Sequence, residues 1–114
     1  MIQSIAFITY AVSDLPAARR FYEGTLGLRL THEAGGEWFE YDIGDTTFAI
    51  TGIDMQHTPG AKGAVVAFEV SDLDAFVKRL KEQGVAFVLD VTETPVCRMA
   101  VIADPDGNHI IIHK

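Results

Sequence analysis

A chain of 114 residues, 48% of them apolar, has enough material for one domain with a buried core and too little for two. No run approaches the ~18 to 20 apolar residues of a membrane span, and Met1, Ile2 and Gln3 do not open a signal peptide, so the expected location is the cytoplasm. Sixteen acidic against nine scattered basic residues, a net charge of -7, argue against nucleic acid as a partner and favour a cationic ligand.

The first element is an apolar extended run over 6–12, closed by Ser13, Asp14 and Leu15. Ser13 or Asp14 can accept hydrogen bonds from the first free amides of a helix, and Pro16 fits the first turn, where its missing N–H costs nothing. The helix is expected over 14–23, with Leu15, Ala18 and Tyr22 on one face and Gly24 or Gly27 ending it. The period then falls to about two, which predicts strands over 29–33, 37–43 and 46–51, with turns at Gly35-Gly36 and Gly44-Asp45.

Residues 53–63, rich in turn formers, read as a connector. Beyond it the opening returns: AVVAFEVSDLDA at 64–75 lies over AFITYAVSDLPA at 6–17 with a constant offset of 58, and six of the twelve positions are identical. Ser71 or Asp72 can cap a second helix, Ser71 with Asp74 resembling a capping box. Leu73, Phe76, Val77 and Leu80 form its apolar stripe, and Gly84 closes it. Strands follow over 87–91, 97–103 and 109–113, with turns at Thr94-Pro95 and at 104–108. The lone Cys97 cannot form an internal disulfide and reads as a small buried thiol in a strand. The expected architecture is therefore α+β, two tandem βαβββ modules at about 3–52 and 64–114 forming a single domain over 1–114.

The segment VSDLPAARRFYEGTLGLRL at 12–30, the second VSDL at 70–73 and the C-terminal ADPDGNHIIIHK resemble the vicinal oxygen chelate superfamily, which includes glyoxalase I, extradiol dioxygenases and bleomycin resistance proteins. The resemblance implies mixed or antiparallel sheets that curl into a cup, helices on the outer face, and a homodimer. It also implies metal ligands on the first and last strand of each module. Counted from the motifs, those positions are Phe7, Phe48, Val65 and Ile111, with Ile50 as the outcome of a two-residue slip. Phenyl, isopropyl and sec-butyl groups offer a metal no lone pair. His109 and His113 share a face of the last strand with Ile111, and Glu69 one with Val65, but two histidines four residues apart in a strand stand roughly 13 Å apart. His32 and His57 read as surface residues.

With helices covering one face of each sheet, alternation sends Phe39, Tyr41 and Ile43 to the covered face and Trp38, Glu40 and Asp42 to the other. The candidate ligand-binding set is Phe7, Thr9, Trp38, Glu40, Phe48, Val65, Glu69, His109, Ile111 and His113, an apolar floor with a partly acidic wall. This suits a metal-free protein that sequesters a hydrophobic, cationic small molecule, with no catalytic residue and no cofactor. The same rings could instead fill the cup themselves. An enzyme of the lyase, isomerase or dioxygenase kind, with an unorthodox metal set or acid–base chemistry at Glu69 or His109, is the alternative, and a dimerising module with protein partners a third.

Overall fold

Asp14 and Asp72 start the two helices in the same way: each carboxylate accepts a hydrogen bond at 3.0 Å from the amide three residues on, Ala17 and Ala75 respectively. In the computed structural model, which describes residues 1, 3–54, 57–60, 63–95 and 97–114, the chain divides into two units, Met1–Pro59 and Gly60–Lys114. Each holds one helix and one four-stranded mixed sheet. The fold is α+β, as the sequence implied.

The first unit contains β1 (Ile8–Ala11), α1 (Leu15–Arg19), β2 (His32–Ala34), β3 (Trp38–Ile43) and β4 (Thr46–Thr51). Its sheet order is β1-β4-β3-β2, with β1 parallel to β4 and the other pairs antiparallel. The expected helix 14–23 is a composite. After one α-helical turn and a half it widens into a π-helical stretch, Arg20–Thr25, in which the Leu26 amide reaches back five residues to the Phe21 carbonyl. Nothing in the apolar spacing signals that change, because Ala18 and Tyr22 face the core either way; both are fully buried.

The second unit contains β5 (Val66–Glu69), α2 (Leu73–Glu82), β6 (Phe87–Glu93), β7 (Arg98–Ala103) and β8 (His109–His113), in the order β5-β8-β7-β6 with β5 parallel to β8. Leu73, Val77 and Leu80 of α2 are buried, as are Ala100, Ile102, Ile110 and Ile112 of the sheet. The helix cap differs from the capping box expected of Ser71: Asp72 caps, and Asp74 instead binds the Arg98 guanidinium, Oδ1 to Nη2 at 2.9 Å. Cys97 lies just before β7 and is only half-buried, its Sγ 3.3 Å from the Thr94 hydroxyl, so it is not the buried strand thiol expected.

Register decides which side chains look away from the helices. In the first unit the pairs Phe39↔Ile50 and Tyr41↔Phe48 lie on one face. The helix covers that face, since Tyr22 packs its ring 5.3 Å from that of Phe48 and the Tyr41 hydroxyl donates to Glu23 at 2.9 Å. The pairs Trp38↔Thr51, Glu40↔Ala49 and Asp42↔Thr47 then form the open face, and Thr9, aligned with Ala49, joins them.

Candidate functional site

Phe7 directly precedes β1 and is 44% exposed. Its ring meets that of Trp38 edge to face, with centroids 5.2 Å apart and planes at 82°. The two residues stand on opposite sides of β4, so the rings meet above its small side chains, and Ala49, although it points to the open face, has no exposed surface. The Trp38 indole Nε1 donates to Glu40 Oε2 at 2.7 Å. Beside them the Thr9 hydroxyl oxygen is buried and has no partner among the described residues. The open face of the first unit thus carries two aromatic rings, a small-residue floor, a carboxylate and an unsatisfied hydroxyl.

Phe48 is not part of it. Expected on the open face, this residue is 2% exposed and surrounded by the rings of Tyr10, Tyr22 and Tyr41 on the helix-covered side. The cause is loop length. On the open faces four residues separate Asp42 from its partner Thr47, whereas five separate the counterpart pair, Ala103 and His109. Counting from the turn glycine therefore slips by one residue between the modules, and a slip of one reverses the face. The residue aligned as Ile111 is aligned in the second unit is Ala49: Thr9 pairs with Ala49 as Ala67 pairs with Ile111. Ile50 is likewise in the core, with no exposed surface.

In the second unit β5 and β8 pair as Ala67↔Ile111 and Glu69↔His113, and β7 adds Met99 beside His113, Val101 beside Ile111 and Ala103 beside His109. Val65, just before β5 and 44% exposed, continues the Ala67 and Glu69 side by alternation. Only one of the expected polar pairs is brought together. His113 Nδ1 lies 2.5 Å from Glu69 Oε1, while His109 sits at the other end of the same strand face. Met99, Val101 and Ala103 were missed because β7 is apolar on both faces and its alternation carries no sign.

The side chains at the positions that the resemblance implies for a metal carry no donor atoms. Phe7, Ala49, Val65 and Ile111 hold only hydrocarbon, and Glu69 with His113 supplies two donors. Among the described residues no group of three or more His, Cys, Asp or Glu could hold an ion. An open groove of about 660 Å³ lies against the helix of the second unit, lined by Val77, Lys78, Glu82 and Val91 among others. It is on the covered side, and three of its charges are already paired, Asp74 with Arg98 and Lys81 with Asp90. Both carboxyls are held below the usual aspartate value by those partners.

Comparison with known proteins agrees with this architecture. The chain is 34% identical, over 91% of its length, to the anthracycline biosynthesis protein DauV of Streptomyces sp. strain C5, and it spans 38% of the length of the curated relatives it matches. Two solved structures from Streptomyces sp. CB03234 superpose closely. One is TnmS3, described as an antibiotic binding protein, with a TM-score of 0.84, 30% identity and coverage of 97% of this chain and 94% of that one. The other is a glyoxalase/bleomycin resistance protein with a TM-score of 0.82, 31% identity and coverage of 97% and 100%. With the family model matching residues 4–112, the chain belongs to the Glyoxalase/Bleomycin resistance protein/Dioxygenase superfamily.

Proposed function

We propose that this protein binds and sequesters a hydrophobic small molecule on the open faces of its sheets, without a metal ion and without changing the ligand chemically. The observation that carries the reading is the side-chain chemistry of those faces. Phe7, Thr9, Trp38 and Glu40 in the first unit, and Val65, Glu69, Met99, Val101, His109, Ile111 and His113 in the second, offer apolar area with a few carboxylates and imidazoles. Such a lining gains affinity from aromatic and aliphatic contact and selectivity from the few polar groups. The likeness to TnmS3, described as an antibiotic binding protein, supports the same reading.

A thermal-shift panel run in the presence of a chelator tests it. Hydrophobic polycyclic compounds are expected to raise the melting temperature in a concentration-dependent way, since a ligand that binds only the folded state stabilises it by mass action. If no compound of a broad hydrophobic panel shifts the transition, sequestration is refuted.

A second reading rests on one contact. The Glu69 carboxylate against the His113 imidazole is the arrangement of a base and its orienting partner, and would suit proton transfer in a lyase or isomerase. Conversion of a bound panel compound, followed by mass spectrometry and abolished in His113→Gln, would place the enzyme ahead of the binder. The protein is also proposed to act as a homodimer, which sedimentation equilibrium tests by a mass of twice 12.5 kDa.

A further inference from the structure

Within the binding role proposed above, on which this inference rests, we infer that the open face of the first unit is a site for an alkylammonium group, built by the Phe7–Trp38 ring pair, Glu40 and Thr9. Four observations converge. The rings stand at 82°, so they form a corner that presents both a π-face and a ring edge to a group seated in it. Glu40 lies two residues along β3 from Trp38 on the same face, and its Oε2 holds the indole edge at 2.7 Å. That bond fixes the indole and leaves the carboxylate's second oxygen to a donor seated beside the ring.

Asp42 follows on the same face, its Oδ1 accepting from Thr47, and β1 to β4 contain no Lys or Arg; their one basic side chain is His32, paired with Glu40 across β2 and β3, so with two carboxylates this face carries an excess of acidic groups. Thr9 supplies the fourth observation. Its oxygen is buried and unpartnered among the described residues, an unfavourable state that a ligand donor would relieve.

An ammonium group satisfies all of these at once. Its N–H bonds go to the carboxylate and the hydroxyl, and its positive charge and alkyl remainder sit against the exposed faces of the two rings. A neutral alcohol offers the contact area without the charge, and a carboxylate would be repelled by Glu40 and Asp42.

Trp38 is the chain's single tryptophan, so its emission reports on this corner. The test uses cyclohexylammonium, cyclohexanol and cyclohexanecarboxylate, three ligands of one shape that do not absorb near the indole, titrated against the full chain at pH 8. The ammonium is expected to change Trp38 emission and to bind about tenfold more tightly than the alcohol, with the carboxylate weakest. In Glu40→Gln the ammonium-to-alcohol preference should fall below about threefold, and in the unaltered protein it should shrink as salt is raised.

A preference that survives Glu40→Gln, or Trp38 emission that none of the three ligands moves, overturns the assignment. Those outcomes leave the general binding role standing if polycyclic compounds still raise the melting temperature. A failure of that separate panel would refute the role itself.

Discussion

Glu23 stands between two partners. Arg19 Nε donates to its Oε2 at 2.7 Å and Nη2 to its Oε1 at 3.1 Å, and the Tyr41 hydroxyl donates to Oε2 at 2.9 Å. The Arg19 hydrogen bond, more than any other cause, holds the Glu23 carboxyl below the usual glutamate value, while burial raises the Tyr41 hydroxyl above its ordinary one. A carboxylate depressed by folding contributes stability that is present above its unfolded value of 4.5 and lost as pH falls through the lower folded value. Melting temperature is therefore expected to hold from neutrality to about pH 5 and fall below it. Glu23→Gln should cost about 1–2 kcal/mol at pH 7 and flatten the acid limb. Parallel pH profiles for the two proteins down to pH 3 would contradict this.

At the same scale two phenylalanines part company. Phe48→Ala should cost about 3–5 kcal/mol in urea denaturation, because its ring fills the core among three tyrosines. Phe7→Ala, at 44% exposure, should cost under about 1 kcal/mol and weaken ligand binding instead. Equal losses for both would show that Phe48 does not occupy the core.

Among elements, the strand-to-helix corners were the most legible. VSDL occurs twice, and each time an aspartate caps the helix that follows. The alternation of β3 was equally plain, since Phe39 and Tyr41 are large and apolar while Trp38, Glu40 and Asp42 include two charges. β4 gave less away: TTFAIT has apolar residues at consecutive positions, so only the partner strand tells that Phe48 and Ile50 point one way and Ala49 the other. The hairpins differ in length for a reason visible only in three dimensions.

In the longer hairpin loop Asp104 Oδ1 accepts the amides of Asp106 and Asn108, and Asn108 Nδ2 donates to Asp104 Oδ2 at 2.8 Å. Asn108 Oδ1 in turn accepts the Gly60 amide at 2.9 Å, tying the chain before β5 to this loop. Gly60 has φ +75°, and a Cβ there would fall 2.3 Å from the Asp106 carbonyl oxygen, so no larger residue fits. Asn108 and Asp104 are both buried, and Asn108→Ala would leave the carboxylate and the Gly60 amide each short of a partner. A loss of about 2–3 kcal/mol is expected, read as a lower urea midpoint at unchanged slope. A loss below about 0.5 kcal/mol would mean that the loop is held by other contacts.

For the whole molecule, the offset of 58 residues was enough to expose the doubled architecture, and the two units repeat one strand order, with the first strand of each lying parallel to its last. The site was legible only in part, because alternation identifies a face but not which of its side chains meet. The ring contact of Phe7 with Trp38 and the pairing of Glu69 with His113, rather than with His109, depend on strand order and register.

Hydrocarbon at Phe7, Ala49, Val65 and Ile111 leaves the positions implied to grip an ion without donors, and the proposed binding role depends on it. Its most direct test is the transition-metal content of the purified protein by plasma mass spectrometry, after dialysis against zinc, nickel, iron or manganese and then against buffer. Far less than one ion per chain is expected for every metal. Retention of any of them at one per chain would contradict that role and make catalysis the leading explanation of the site.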